Sequence, residues 1–169
     1  MKKYTPLDWL RKGNDFTNTK KYRKAIVCYD KALALKPDYA SAYSNKGVAL
    51  YDLGRHQEAI ECFDKAIALE PEHGAAYNGK GIALAQLGNF QEALQYFDKT
   101  IALAPEHSAA YANKGIVFNH LGKYRKAIRF FDLAIKLNNT EAYSNKQMAL
   151  KNLKLNRVFK NGDCGSSPQ

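Results

Sequence analysis

Residue types recur along the chain every 34 positions, as from Gly13 to Gly47. This period constrains the fold more than any other feature of the sequence. Four residue columns keep the interval in one phase: glycine at Gly13, Gly47, Gly81 and Gly115, alanine at Ala25, Ala59, Ala93 and Ala127, aspartate at Asp30, Asp64, Asp98 and Asp132, and proline at Pro37, Pro71 and Pro105. A period of this length is typical of proteins that stack copies of one small structural unit. We therefore expect four units in tandem.

Each unit is predicted to be a pair of helices. In the second unit, Tyr43, Gly47 and Leu50 recur at helical spacing, and Ala59 and Phe63 continue the pattern further on. A glycine stands midway in three units, where it can end one helix and begin a turn: Gly54, Gly88 and Gly122. The pattern predicts first helices over 7–19, 41–53, 75–87 and 109–121, and second helices over 22–35, 56–69, 90–103 and 124–137.

The same pattern divides the chain into an N-terminal extension (1–5), four units (6–39, 40–73, 74–107 and 108–139) and a C-terminal segment. The stretch that begins at Tyr143 repeats the residues from Tyr43 onward, but no second helix follows it. Because the end of a repeat array needs a polar outer face, residues 140–160 are predicted to form a capping helix, with Thr140 as its N-cap. The small polar residues 161–169 predict a flexible tail.

These features resemble the tetratricopeptide repeat, on the strength of the 34-residue period together with Trp9, Gly13, Phe16, Ala25, Tyr29 and Pro37. The resemblance extends over residues 6 to about 141. It implies an all-α fold, a right-handed α-solenoid of helix-turn-helix hairpins with a C-terminal capping helix. It also implies a non-enzymatic protein–protein interaction module or scaffold, whose first helices line a concave groove that binds a peptide segment of a partner protein.

Two departures from the family pattern concern lysines. Lys20 replaces the mid-unit glycine of the first unit, and four lysines stand where the pattern usually has leucine: Lys12, Lys46, Lys80 and Lys114. A lysine can lay its aliphatic stem on apolar neighbours while its amine extends to water. We therefore expect the fold to tolerate both departures.

The face of each first helix that is not used for packing is the candidate partner-binding groove. Mapped by equivalent columns, it comprises Leu10, Asn14, Asn45, Val48, Tyr51, Asp52, Asn78, Ile82, Gln86, Asn113, Ile116, Asn119, His120, Asn145 and Met148. One column is an amide row that Gly79 interrupts (Asn45, Asn113, Asn145), and the next is an apolar row (Val48, Ile82, Ile116, Met148). Amides can donate to and accept from a peptide backbone, although they can also bond only to neighbouring helices; both interpretations stay open.

A frequent ligand of the family is the acidic C-terminal tail of cytosolic chaperones, held by two lysines, an arginine and two asparagines. In this chain only Asn14 and Asn45 match that set. Leu10, Ala75 and Gly79 stand where the cationic residues would be. The groove is therefore not expected to hold a chaperone tail.

No group of residues has the spacing of a catalytic or metal site. His56 occupies a column of packing aromatics, and His73 and His107 lie at turns with no carboxylate or cysteine at ligand spacing. Cys28 and Cys62 share a column with large aromatics, which favours a packing role. Phosphate loops and nucleophile elbows are also missing from the sequence. We expect no enzymatic activity, no cofactor and no metal ion.

The expected location is the cytoplasm. No apolar run approaches the roughly 18 residues of a membrane-spanning helix. The lysines at positions 2 and 3 are followed by Pro6, Asp8 and Trp9 rather than by the apolar stretch of a signal peptide. We expect no membrane partner.

The net charge of +10 is concentrated at the two ends of the chain. It is +6 over residues 1–39, −3 over 40–73, −1 over 74–107, +4 over 108–141 and +4 over 142–169. Two clusters occupy equivalent turns: Lys20, Lys21, Arg23 and Lys24, and Lys123, Arg125, Lys126 and Arg129. The alternative function is therefore nucleic-acid or polyanion binding through these basic edges, and the simpler interpretation is that they are solvated surfaces.

The capping helix carries more apolar residues than one helical stripe can bury. Leu150 and Leu153 suit that stripe, whereas Leu155, Val158 and Phe159 continue past it with no later helix to cover them. Weak self-association through this end of the chain is one expectation.

Overall fold

The computed structural model describes residues 4–162, with side chains from residue 4 to residue 158. Every element in that range is an α-helix, and the first eight helices begin and end within one residue of their predicted bounds. In chain order they are α1 (Pro6–Asn18), α2 (Tyr22–Leu35), α3 (Ala40–Asp52), α4 (His56–Leu69), α5 (Gly74–Gln86), α6 (Phe90–Leu103), α7 (Ser108–His120), α8 (Tyr124–Lys136) and α9 (Glu141–Gly162). The predicted all-α helical-repeat class is confirmed, and no described helix is both long and apolar enough to cross a membrane.

The chain forms two compact units, residues 1–103 and 104–169. In the first unit, α1 pairs with α2, α3 with α4 and α5 with α6, while α3 and α5 also pack on the second helix of the preceding pair. In the second unit, α7 pairs with α8, and α9 packs on α8 as the first helix of a further pair would. The division into four repeats and the right-handed sense stay predictions.

Side chains explain where α1 and α9 begin. The Thr5 hydroxyl accepts from the Asp8 N–H at 3.2 Å, and the Asp8 carboxylate accepts from the Thr5 N–H at 2.9 Å, which forms a capping box. At α9, the side chain that accepts from the Ala142 N–H is Asn139, at 3.0 Å, rather than the predicted cap Thr140. This helix also continues two residues into the predicted tail, whose residues 163–169 lie outside the described part of the chain.

The turns inside the hairpins need a left-handed residue. The glycines there, Gly54, Gly88 and Gly122, have φ angles of 77°, 83° and 69°. In the first hairpin Lys20 replaces glycine and adopts the same conformation, with a φ of 56°. The first departure from the family pattern is therefore accommodated by a lysine in a strained backbone conformation.

One aromatic ring per repeat fills the space between the helices of each hairpin. Tyr29, Phe63, Phe97 and Phe131 are each 1% exposed. Phe63 on α4 lies against two glycines, because a Cβ atom placed on Gly47 of α3 or Gly79 of α5 would lie 2.8 Å or 2.5 Å from its ring. The gap in the amide row at Gly79 therefore has a packing cause: the ring leaves no room for a side chain.

We predict that Gly79→Ala destabilises the chain by about 1–3 kcal/mol, because the buried Phe63 ring would have to move. Gly74→Ala is the matched control in the same helix, since no atom lies within 4 Å of its added methyl group. Urea unfolding followed by circular dichroism measures both variants. Equal midpoints for the two would contradict the packing explanation.

Lys12 is exposed as expected, but later lysines of its column form ion pairs instead of extending only to water. Lys46 Nζ lies 2.6 Å from Asp30 Oδ1, and Lys80 Nζ lies 2.6 Å from Asp64 Oδ1. Both ion pairs join a first helix to the second helix of the preceding hairpin, and Lys146 and Asp132 form a similar pair at 2.6 Å in the second unit. The expectation was wrong because it considered only the stem, whereas the aspartate column lies within reach of the amine.

The Lys80 pair is the most buried of the three, since the lysine side chain is 10% exposed and the Asp64 side chain 51%. Burial lowers the pKa of Lys80, but hydrogen bonds to Asp64 and Tyr96 outweigh burial and raise it above its ordinary value. The contribution of the pair to stability is therefore complete at neutral pH. On the alkaline side it is lost as the pH rises through the raised pKa of the lysine.

We predict that Asp64→Asn lowers the free energy of unfolding by about 1–2 kcal/mol at pH 7, because it leaves a largely buried ammonium without a counter-charge. Asp30→Asn should cost less, since the side chain of its partner Lys46 is 24% exposed and can be hydrated. Thermal unfolding of both variants tests the difference. A larger loss for Asp30→Asn would refute it.

Candidate functional site

Two asparagines on neighbouring first helices are joined through one acceptor atom. Asn14 Oδ1 on α1 accepts from Asn45 Nδ2 on α3 and from Tyr29 Oη on α2, each at 2.9 Å. Thr17 Oγ1 lies a further 2.9 Å from the Tyr29 hydroxyl oxygen. Burial is the main cause that raises the pKa of Tyr29, so its hydroxyl stays protonated and available as a donor at neutral pH. The first hairpin and α3 thus share one polar network.

This network leaves hydrogen-bonding capacity unused. A side-chain amide has two N–H donors and a carbonyl oxygen with two lone pairs. Among the described residues, no protein group bonds to the Asn14 amide nitrogen or to the Asn45 carbonyl oxygen. The pair therefore offers both a donor and an acceptor, which are the two groups that a peptide backbone presents.

The asparagine pair borders a hollow of about 340 Å³, which is lined by Asn14, Thr17, Asn18, Tyr29, Asn45 and Val48. Asn14, Asn45 and Val48 were predicted from the sequence, and the other three were not. A signal for Thr17 and Asn18 existed, because they stand one repeat period before the predicted groove residues Tyr51 and Asp52. Tyr29 had no such signal, since its column is a core column and only this copy carries a hydroxyl group.

The apolar row is open to solvent along both compact units. In the first unit Val48 is 40% exposed and Ile82 is partly exposed. In the second unit Ile116 is 36% exposed and Met148 58%. Aliphatic side chains at this exposure, beside polar groups, are the usual composition of a protein-binding surface.

The structure places the remaining first-unit candidates at different depths. Leu10 is an exception to the expected groove: it is 8% exposed and packs in the hydrophobic core around Tyr29. The prediction was wrong about the column itself, since the equivalent residues Ser44 and Ala112 are also buried, at 3% and 7% exposed. Asn78 is partly exposed and Gln86 is exposed.

Tyr51 and Asp52 lie at the end of α3. The Tyr51 ring centroid lies 5.1 Å from that of His56, which supports the packing role expected of this histidine. Asp52 interacts with Tyr22 of α2. The pKa of Tyr22 is raised mainly by burial, and further by the negative charge of Asp52 and by the hydrogen bond to it. Both predicted groove residues therefore also contact the start of a second helix.

In the second unit the candidates include another amide pair. Asn119 Oδ1 on α7 accepts from Asn152 Nδ2 on α9 at 3.3 Å, and Asn152 was not predicted. Asn113 and Asn145 are partly exposed, and His120 is exposed. The predicted site residues thus divide between the two units: nine lie in the first and six in the second.

Reactive groups are few in the described part of the chain. Cys28 and Cys62 are buried, and burial is the main cause that raises the pKa of each thiol. Such thiols are poor nucleophiles at neutral pH. Within residues 4–158, no three side chains among histidine, cysteine, aspartate and glutamate come together in a way that would hold a metal ion.

The basic clusters lie on exposed surfaces. Lys20, Lys21, Arg23 and Lys24 are all exposed. In the second unit, Lys123, Arg125 and Lys126 border a hollow of about 240 Å³ with Leu153 and Asn156 of α9. Polyanion binding through these clusters stays a prediction, and so does self-association through α9, where Leu155 and Val158 are 46% and 66% exposed.

Comparisons with known proteins agree on one architecture. A family model described as tetratricopeptide repeat matches residues 38–106 and 72–140, and a second one, described as TPR repeat, matches 13–54. The crystal structure of MamA is 25% identical, with a TM-score of 0.71 over 82% of this chain and 81% of MamA. No curated protein sequence matches the chain.

Two solved structures of single TPR domains are also similar. The Arabidopsis OM64 TPR domain is 26% identical, with a TM-score of 0.67 over 69% of this chain and 96% of that domain. The first TPR of Spaghetti (RPAP3), bound to the HSP90 peptide SRMEEVD, is 26% identical with a TM-score of 0.67 over 69% of this chain and 93% of that one.

Proposed function

Because this chain belongs to the tetratricopeptide repeat family, we propose that it is a protein-interaction module that binds a peptide segment of a partner along its first helices. Its repeats and its similarity to a peptide-bound TPR domain support a role in protein interaction. The role is that of a module or scaffold rather than of an enzyme.

The observation that carries the proposal is the donor and acceptor left over by the Asn14 and Asn45 pair. Both amides border one hollow. Asn14 Oδ1 accepts from Asn45 Nδ2 and from Tyr29 Oη, each at 2.9 Å, so both side chains are already held in place and neither needs to be ordered on binding. An extended peptide presents an N–H and a C=O at each residue, which this pair can satisfy together. Recognition of this kind positions a backbone without selecting its side chains.

Specificity would come from the apolar row and from the lack of charge. Val48 borders the same hollow as the two asparagines and can take an apolar side chain of the ligand. None of the six residues around the hollow is charged, so a charged ligand side chain would lose hydration there without gaining an ion pair. The segment bound at this point is therefore neutral and partly apolar.

We predict that Val48→Arg reduces partner capture about tenfold or more, because it places a charge in the apolar row. Leu69→Arg is the matched control: Leu69 is 44% exposed, close to the 40% of Val48, but lies on a second helix. Affinity capture with quantitative mass spectrometry compares both with the unchanged chain. The double substitution Asn45→Ala, Asn113→Ala should also lose the partners.

One contrary result is that Val48→Arg and the asparagine double variant capture the same partners as the control Leu69→Arg, in equal amounts. That result would show that the first-helix face is not the binding site. Loss of the same partners with Leu69→Arg would have the same meaning, because that residue lies outside the groove. Circular dichroism of each variant confirms that the fold is kept. The three variants therefore separate a groove from a general surface effect.

We also predict that the peptide SRMEEVD does not bind this chain. In the groove of this protein, Leu10 is buried and Gly79 lies against Phe63, so neither position can supply the cation that an acidic tail needs. Isothermal titration should show no binding up to about 1 mM peptide, which corresponds to less than about 4 kcal/mol of binding free energy. The first TPR of Spaghetti (RPAP3) is the positive control. Micromolar binding would contradict the neutral-ligand proposal.

A further inference from the structure

The hydrogen-bond network beside the asparagine hollow ends in two hydroxyl groups, Tyr29 on α2 and Thr17 on α1. Tyr29 Oη lies 2.9 Å from Asn14 Oδ1 and 2.9 Å from Thr17 Oγ1, and either hydroxyl can be the donor in the second contact. Thr17 Oγ1 also lies 3.1 Å from the backbone carbonyl oxygen of Gly13. Each hydroxyl therefore has two acceptors within reach but only one hydrogen to donate.

Two members of this network are exceptions in their own columns. Tyr29 stands where the other three hairpins have phenylalanine. Asn14 stands one repeat period before Val48, in the column that is otherwise the apolar row. Because the two exceptions meet at 2.9 Å, the first repeat has a hydrogen-bonded pair where the later repeats have an apolar side chain and a plain ring.

In one arrangement of the hydrogens, all bonds run toward Asn14 Oδ1. Thr17 donates to Tyr29, and Tyr29 donates to the Asn14 oxygen. Asn45 Nδ2 donates to the same oxygen. The unused donor of the pair is then the Asn14 nitrogen on α1, and the unused acceptor is the Asn45 oxygen on α3.

The same heavy atoms allow the reverse arrangement. The oxygen and nitrogen of a side-chain amide are nearly equal in size, so each asparagine can turn its amide by half a turn without changing its packing. Asn14 Nδ2 then donates to Tyr29 and to Asn45 over the same spacings of 2.9 Å. Tyr29 donates to Thr17, whose own hydrogen goes to the Gly13 carbonyl oxygen. The unused donor is now on α3 and the unused acceptor on α1.

Burial explains why Thr17 is needed for this reversal. Tyr29 is 1% exposed, so its hydroxyl hydrogen needs an acceptor within the protein in both arrangements. Asn14 is that acceptor in the first arrangement, and Thr17 is in the second. Without the threonine hydroxyl, the reverse arrangement would leave a buried donor unpaired, which costs free energy. With it, both arrangements satisfy every buried group of the network.

We propose that the asparagine hollow reverses its hydrogen-bond polarity and thereby holds an extended peptide in either chain direction, with Thr17 as the positioning residue that allows the reversal. This inference rests on the proposed function. Turning an extended chain end to end exchanges the N–H and C=O groups that it presents to a surface. A hollow whose donor and acceptor stay in place fits one direction, whereas this hollow fits both. Its ligands are therefore neutral segments that run either way along the first helices.

The reversal itself can be tested without a ligand, from the rates at which the asparagine side-chain hydrogens exchange with water. In Thr17→Val the side chain keeps its shape but loses the hydroxyl, so Tyr29 can donate only to Asn14. The Asn14 hydrogens should then exchange about twofold faster, since they lose the half of the time that they spend bonded in two equally populated arrangements. The Asn45 hydrogen should exchange more slowly. Nuclear magnetic resonance of the full chain measures both rates.

The peptide direction is tested with a blocked pentapeptide, acetyl-Ser-Val-Ala-Val-Ser-amide, and with its all-D form. The peptide is neutral and partly apolar, and its sequence reads the same from both ends. The D form, bound in the opposite direction, therefore places the same side chains at the same points with N–H and C=O exchanged. Shifts of the Asn14 and Asn45 amide signals measure the two affinities.

We expect both forms to bind the unchanged chain with affinities within about twofold of each other. Thr17→Val should prefer one form about tenfold, which is the cost of a single buried unpaired hydroxyl. Thr17→Ser, which keeps the hydroxyl, is the matched control and should bind both forms nearly equally. Thr17 is partly exposed, and circular dichroism verifies that both variants are folded.

Two results would overturn the proposal. One is a preference of about tenfold or more for one form by the unchanged chain. The other is that Thr17→Val has the same exchange rates and the same ratio of affinities as the unchanged chain. Binding of neither form up to about 10 mM would refute the proposed function, and with it the peptide direction, while the exchange rates still decide whether the network reverses.

Discussion

The ring of Phe63 shows how closely the helices of this protein must approach one another. It is 1% exposed and lies between two glycines of successive first helices, where a single added methyl group would overlap with it. Tyr29, Phe97 and Phe131 hold the same position in the other hairpins. Because each ring meets backbone rather than a flexible side chain, it defines the separation of the helices and their rotation. The exposed residues of successive first helices can form rows on the surface only because the buried rings and glycines keep the helices in a constant orientation.

The same frame lets each repeat differ on its surface while the packing stays constant. At the first ring position tyrosine replaces phenylalanine, and its hydroxyl reaches Asn14 at 2.9 Å without leaving the core. Opposite Phe63 the equivalent of Asn45 is Gly79, where the ring occupies the space that a side chain would need. The polar network around Asn14 therefore depends on the tyrosine that the first hairpin carries. The lysine and aspartate columns add a second link between successive hairpins, through the ion pairs of Lys46 with Asp30 and of Lys80 with Asp64.

The helices could be predicted to within one residue because the signals for them are local. Gly54 and its equivalents end the first helices, and the spacing of small and large residues defines one buried stripe. The candidate groove residues were chosen by translation through one repeat period, and Thr17 and Asn18 could have been added in the same way. Leu10 was the error of that translation, because its column is a buried one: the equivalent residues Ser44 and Ala112 are 3% and 7% exposed.

The sequence by itself determined the repeat, the helices, the small and aromatic columns and the uneven charge, because each depends on residue type and spacing along the chain. Only the tertiary structure decided which polar atoms meet: Asn14 with Asn45, 31 residues apart, and Lys80 with Asp64, 16 residues apart. A long side chain has many rotamers, and a helical period fixes the direction in which it leaves the backbone but not the atom at which it ends. The neighbouring helix determines which atom becomes the partner, because a buried amine or amide that loses its hydration without gaining a hydrogen bond costs free energy.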